Sequence, residues 1–334
     1  MVIQAYGVHQ MGEALKPFEY DPGPLREEEV EINVEYCGIC HSDLSMLNNE
    51  WGISQYPLVP GHEVVGKIGA VGEKVKTLSL GQTVGLGWFS RSCLTCEWCV
   101  GGDQNLCLTA EGTIVGRYGG FANKVRAHHG WVVPLPSGLN PQTAGPLFCG
   151  GITVFNPIIE CGVQPTDRVG VIGIGGLGHM AIQFLHAWGC DVTAFSGSQN
   201  KEQEARNLGA NHFINSRDSH ALKSVENSFD FIISTVNADL NWNGYILALR
   251  PKGRLHFVGV TPNPISTQVF PLIVGQKSIS ASPFGSPRNV MKMLEFAARH
   301  HIEPMIETYP LENVNEALEK LRQGTPRYRL VLTV

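Results

Sequence analysis

The sequence predicts an α/β protein in two domains: a mostly-β domain assembled from both ends of the chain, and a doubly wound parallel sheet inserted between them. Three observations carry this reading. Residues 1–150 hold short β runs broken by Gly and Pro, the pattern of a β-rich domain. From residue 168, the run Arg168-Val-Gly-Val-Ile-Gly173-Ile-Gly175-Gly176-Leu177-Gly178 is a β segment opening into G-x-G-x-x-G, and helical and β patterns alternate after it. Residues 286–334 offer two helical patterns and one β run, too little to bury a core alone, so they are expected to complete the first domain. The expected division is 1–150 with 286–334, and 151–285.

The elements follow in order. Residues 1–7 read as a strand and lack the basic-then-apolar pattern of a secretory signal. A second strand is expected at 30–36. Helix 179–189 sets Met180, Ala181, Phe184, Leu185 and Trp188 on one face. Further β runs are expected at 191–196, 229–236 and 254–260, helices near 288–300 and 313–322, and a last β run at 327–334. There are no internal repeats, and no run of 18 apolar residues suggests a membrane span. A net charge of −5 over 334 residues argues against nucleic acid as a partner. Nine cysteines in metal-type spacing, with no secretory signal, point to a reducing cytoplasm. Cys161 and Cys190 read as buried and inert.

Four of the cysteines, Cys93, Cys96, Cys99 and Cys107, form a C-x2-C-x2-C-x7-C run. Four thiolates so close in sequence can converge on one tetrahedral zinc, and such a closed shell is structural because no position stays open for substrate. A disulfide cluster would need an oxidising compartment, and an iron–sulfur cluster fits on spacing alone. A second set is dispersed: Cys40 in Cys37-Gly-Ile-Cys40-His41-Ser42-Asp43, His62 in Pro60-Gly61-His62-Glu63, and Cys149 in Leu147-Phe148-Cys149-Gly150. Two thiolates and one imidazole leave a fourth position free, the arrangement of a catalytic zinc. Taken singly, each has a plainer reading as a packed Cys or a turn His. Cys37 could pair with Cys40 as a C-x-x-C redox couple, but no thioredoxin-like pattern surrounds it, so it reads as packing.

The glycine motif implies a dinucleotide. Gly173 permits the tight turn, Gly175 lets a pyrophosphate approach the backbone, Gly178 allows close helix–strand packing, and the helix N-terminus holds the phosphates. An NAD enzyme carries a carboxylate at the end of the next strand for the ribose 2′-OH. Here the chain reads Phe195-Ser196-Gly197-Ser198-Gln199-Asn200-Lys201, with no carboxylate. Ser196, Gly197, Ser198 and Lys201 would instead attract a 2′-phosphate, so NADP(H) is expected. The plainer reading is a polar turn with Lys201 solvated.

Along its whole length the chain resembles the zinc-dependent medium-chain dehydrogenases/reductases. It is most similar to the cinnamyl-alcohol-dehydrogenase branch and, within that, to bacterial broad-specificity NADPH-dependent aldehyde reductases. The resemblance rests on Cys37-Gly-Ile-Cys-His-Ser-Asp-Leu-Ser-Met46, Asn49-Glu-Trp-Gly52, Tyr56-Pro-Leu-Val-Pro-Gly-His-Glu63, Gly145-Pro-Leu-Phe-Cys-Gly-Gly-Ile-Thr153, Val171-Ile-Gly-Ile-Gly-Gly-Leu-Gly178 and Tyr328-Arg329-Leu-Val-Leu. It implies a GroES-like catalytic domain plus a Rossmann domain, two Zn2+ per chain, NADP(H), and reversible interconversion of small aldehydes and alcohols. A zinc held by Cys40, His62 and Cys149 would lie in the cleft between domains and polarise the aldehyde oxygen. The resemblance further implies Ser42 as the hydroxyl that starts a proton relay, Asp43 as the partner fixing the His62 tautomer, and Glu63 as a carboxylate behind the zinc that helps exchange water for substrate. Arg329 joins Gly173 to Gly178 and Ser196 to Lys201 in the expected cofactor set. Trp51, Trp88 and Phe148 are expected in an apolar substrate pocket, and a homodimer or homotetramer is compatible with the family.

Two departures stand out. Plant-type relatives carry a His three residues after the relay hydroxyl, where this chain has Ser45, so the proton passes from the ribose to water or through His41. The segment from Cys107 to Ala122 is shorter than in those relatives, so their aromatic-alcohol specificity is not carried over. A catalytically idle binding protein need not keep all three open-shell ligands and Ser42. A polyol dehydrogenase of this family would ligate zinc with Glu in place of Cys149 and favour NAD.

Overall fold

The computed structural model describes residues 2–334, so Met1 of the expected first strand and first domain lies outside the described residues. The chain divides into two compact units, one holding residues up to Ile152 and from Phe284 onward, the other Thr153–Pro283.

The first unit is built on a seven-stranded sheet in the order Ile306–Pro310, Arg329–Thr333, Glu29–Ile39, Glu63–Val71, Thr83–Leu86 and Val132–Pro134, with Lys124–His128 also paired to Glu29–Ile39. The C-terminal strand Arg329–Thr333 runs antiparallel to Glu29–Ile39, pairing Leu330 with Ile39. It therefore contributes Leu330 and Leu332 to the same core as Val30, Ile32, Val64, Leu86 and Phe121. Its helix Pro287–His300 starts where Pro287 presets φ at the first helical position. Val290, Met293, Leu294 and Ala297 are its buried stripe, spaced i, i+3, i+4, i+7 as an amphipathic helix requires.

The second unit is a six-stranded, wholly parallel sheet in the order His212–Asn215, Asp191–Ser196, Arg168–Ile172, Phe229–Ser234, Leu249–Phe257 and Ser278–Ala281. Its central strands are apolar almost throughout because both faces are covered. Sequence periodicity did not reveal the two edge strands, His212–Asn215 and Ser278–Ala281. They are half-buried or exposed and carry no apolar run to mark them. No helix of the described residues is long and apolar enough to cross a membrane.

Candidate metal centres and cofactor turn

The local cysteine run folds into a small lobe. Cys96 precedes the short helix Glu97–Gly101, which ends at Gly102 with φ +98°. The Sγ atoms of Cys93 and Cys99 lie 3.9 Å apart, and those of Cys107 and Cys93 3.6 Å. A tetrahedral zinc with ~2.3 Å Zn–S bonds sets ligand sulfurs about 3.8 Å apart, so the donor set fits that ion. Backbone amides of Thr95 and Cys96 pull the Cys93 thiol down to about 5, whereas burial pushes Cys99 up to about 12. A cation bound among them would stabilise the thiolate form that ligates it.

The second cluster draws on three separated segments. Cys40 lies between strand Glu29–Ile39 and helix His41–Leu47 as the helix N-cap, His62 precedes strand Glu63–Val71, and Cys149 follows the turn Gly145–Phe148. Cys40 Sγ lies 3.8 Å from Cys149 Sγ, and His62 Nε2 lies 3.3 Å from that sulfur. For a tetrahedral zinc the corresponding separations are about 3.8 and 3.5 Å, so these three donors also fit. Their atoms, with a carboxylate oxygen of Glu63, all lie within 4.8 Å of one another.

Asp43 holds this cluster from behind. It is fully buried and accepts from the backbone N–H of Cys40 and of Gly61, each at 2.9 Å, and lies 3.1 Å from His62 Nδ1. That contact leaves Nε2 of His62 facing the two sulfurs. Gly61 is needed at its position: φ is +98°, and a Cβ there would sit 2.6 Å from the Phe121 amide nitrogen. The thiol hydrogen bond from Cys149 holds Cys40 well below the ordinary thiol range against the effect of burial, and the same bond raises Cys149. Burial lowers His62, but Asp43 and then Cys40 outweigh it, and the net shift is upward.

Glu63 and Arg329 lie beside the donors. Burial pushes Glu63 up to about 7 although Arg329 pulls it down. Arg329 Nη2 donates to Glu63 Oε1 and, at 3.2 Å, to the Ile39 carbonyl. Glu63 Oε2 and Arg329 Nε have no hydrogen-bond partner among the described residues. Arg329, expected with the cofactor residues, thus lies in the first unit with its guanidinium on Glu63.

Ser42 Oγ lies 3.6 Å from Cys40 Sγ. Ser45 is buried and donates its hydroxyl to Glu50 Oε2 at 2.7 Å, while His41 is exposed at the start of the same helix. The Ser45–Glu50 pair went unseen in the sequence because nothing in i, i+5 spacing marks it. Trp88 meets the His62 ring edge-on at 5.0 Å, and Trp51 and Phe284 flank Trp88 at 5.8 and 6.1 Å. Phe284 was missed because it lies far along the chain from Trp51 and Trp88. Phe148 is buried with its ring against Gly85, where an added Cβ would sit 2.0 Å from Phe148 Cζ, and it lines a cavity together with Trp88 and Phe284. Cys37 is buried with its thiol toward the Gly38 carbonyl, outside the donor group. Cys161, expected to be buried, is half-buried beside His256.

In the second unit the strand Arg168–Ile172 opens into the glycine turn at the N-terminus of helix Gly178–Trp188. Gly173 has φ +92°, and a Cβ on Gly178 would lie 1.9 Å from the Gly173 carbonyl. A Cβ on Gly175 would meet nothing within 4 Å, so this backbone faces open space with Gly176 and Leu177 beside it. At the end of Asp191–Ser196, Ser198 N donates to Ser196 Oγ at 3.2 Å, and Lys201 Nζ reaches back to the Ile174 carbonyl at 2.6 Å. The turn and the carboxylate-free strand end fit a phosphate-bearing dinucleotide. The sequence reading missed Arg217, which lies against Gly197; it follows a strand too weakly patterned to place it.

Comparison with known proteins agrees with this anatomy. Residues 26–137 match the alcohol dehydrogenase GroES-like domain, and residues 176–299 match the zinc-binding dehydrogenase domain. The chain is 56% identical over 332 residues, 99% of each sequence, to the aldehyde reductase AdhA of Synechocystis. It superposes on a cinnamyl alcohol dehydrogenase from Sorghum bicolor with a TM-score of 0.95 at 35% identity, covering 100% of this chain and 98% of that one. A cinnamyl alcohol dehydrogenase from Helicobacter pylori, solved with NADP(H), gives 0.91 at 29% identity, covering 100% and 98%. The chain thus belongs to the zinc-dependent alcohol dehydrogenase/aldehyde reductase family of medium-chain dehydrogenases, with a GroES-like domain and a Rossmann sheet.

Proposed function

We propose that this protein is an NADP(H)-dependent reductase of a broad range of small aldehydes, reversible toward primary alcohols, with two zinc sites per chain. The observation that carries it is the buried Cys40, His62 and Cys149 set, with Ser42 beside Cys40 and Asp43 behind His62. When bound there, zinc supplies Lewis acidity toward a carbonyl oxygen and the nicotinamide cofactor supplies hydride.

The chain's own residues do the rest. Cys40, His62 and Cys149 hold one face of the site and leave the other for substrate oxygen. Asp43 fixes His62 with Nε2 toward the site, the common role of a carboxylate behind a ligating imidazole. Ser42 Oγ gives the substrate oxygen its proton in reduction and takes it in oxidation. Glu63, held neutral or anionic near neutrality by burial against Arg329, adjusts the charge beside the donors. Trp88, with Trp51 and Phe284, supplies apolar wall for the substrate's carbon chain. Cys93, Cys96, Cys99 and Cys107 hold the structural ion. Preference for NADP(H) is supported by the missing carboxylate and by Ser196, Ser198 and Lys201 at the strand end.

The test is initial rates with NADPH and with NADH against straight-chain, branched and aromatic aldehydes and a polyol. NADPH-dependent reduction of several aldehydes is expected. Faster turnover with NADH, or oxidation of the polyol alone, would overturn the reading.

A further inference from the structure

Lys201 is the one cation the strand Asp191–Ser196 and its following turn bring to the expected 2′-phosphate seat, and its ammonium already donates to the Ile174 carbonyl. A second cation arrives from the neighbouring strand. Resting on the NADP(H) reading above, we propose that Arg217 is a specificity-determining residue that closes over the 2′-phosphate together with Ser196, Ser198 and Lys201.

The placement follows from register. Strand His212–Asn215 runs parallel to Asp191–Ser196, with Asn215 opposite Ser196, and Ser216 N donates to the Ser196 carbonyl at 2.9 Å. The turn after this strand therefore lies beside the end of the other. Arg217 N donates to Asn215 Oδ1 at 3.0 Å, which fixes the backbone from which the side chain leaves. That side chain runs across Gly197: a Cβ there would lie 3.1 Å from Arg217 Nε, 3.5 Å from Cγ and 3.7 Å from Cδ. Glycine at 197 is thus what makes room for the arginine stem.

The charge is also available. The Arg217 guanidinium has no hydrogen-bond or ion-pair partner among the described residues. The adjacent Asp218 carboxylate caps the next helix, accepting from His220 N at 2.8 Å, and forms no ion pair with Arg217 among the described residues. A guanidinium presents a planar fork that can meet two phosphate oxygens at once, which the point charge of Lys201 cannot do. The same fork has no counterpart on a cofactor whose 2′ position is a hydroxyl.

Calorimetric titration of the full chain with 2′,5′-ADP and with 5′-ADP tests this, beside NADPH and NADH titrations followed by fluorescence. Arg217→Ala should weaken 2′,5′-ADP and NADPH binding roughly ten-fold, while 5′-ADP and NADH change by less than about two-fold. Arg217→Lys should recover part of the loss. If Arg217→Ala binds 2′,5′-ADP as tightly as the parent, and the parent still prefers it over 5′-ADP, the proposal is overturned and the NADP(H) reading stands. A parent that does not distinguish the two nucleotides overturns both. Equal losses for both nucleotides would mean that Arg217 only shapes the fold locally, and the proposal fails.

Discussion

Replacing Asp43 by Asn leaves size and shape almost unchanged yet removes what the site asks of that position. In the parent, Oδ2 accepts from Cys40 N at 2.9 Å, and Oδ1 accepts from Gly61 N at 2.9 Å while facing His62 Nδ1 at 3.1 Å. An amide has one oxygen and one NH2. Whichever way it turns, a buried backbone N–H meets another donor, and the negative charge beside His62 is gone. One buried charge-assisted hydrogen bond is worth about 1.5–3 kcal/mol. The expected loss of stability is therefore about 2–3 kcal/mol, or roughly 5–10 °C in the melting of the unit that carries the cluster. The two N–H groups anchor Cys40 and the residue before His62, so the ligands loosen as well. Loss of such a supporting carboxylate costs about 10- to 100-fold in metal affinity. Zinc competition with a graded chelator, alongside melting curves, reads both effects. An Asn variant that keeps parental zinc affinity and melts within about 2 °C of the parent would refute the reasoning.

Other expectations follow from the same geometry. Cys96→Ser should lower zinc to one ion per chain and destabilise the lobe, since a closed metal shell contributes folding free energy. Cys149→Ser should abolish turnover with NADPH affinity retained; metal analysis giving one zinc in active parent enzyme sinks both. Ser42→Ala should cut kcat by roughly 10²–10⁴-fold. Ser45→Ala should cost little turnover, because its hydroxyl is spent on exposed Glu50; equal damage at 42 and 45 would put Ser45 in the proton path. Burial, aided by Arg254, holds His256 neutral down to about 4, whereas unfolded it takes its proton at the ordinary imidazole value of about 6.5. The unfolded chain thus binds more protons between those values, so stability falls as pH drops through that window, by about 3 kcal/mol in all. His256→Gln should flatten this part of the pH–stability curve, and an unchanged slope contradicts the assignment.

Much of this protein is legible before folding. Four cysteines within fifteen residues can reach one ion through short loops whatever the rest of the chain does, so spacing alone marks them as a ligand set. The glycine turn announces itself for a like reason: strand, turn and helix are consecutive, and each glycine answers a local steric demand. Central strands and the Pro287–His300 helix show through because burial on a fixed face leaves a period in the sequence. What tertiary structure alone decides is which distant residues meet. Cys40, His62 and Cys149 are separated by up to 109 residues, and residue type could suggest them while only the sheet and its loops set the 3.3–3.8 Å separations. The pairing of Glu63 with Arg329, 266 residues apart, exists because the last strand returns beside Glu29–Ile39. Arg217 reaches Gly197 only through the register of two parallel strands, one of them an edge strand too polar to be read. Local sequence encodes which faces seek burial, and the closing of the sheets decides which charges then find themselves side by side.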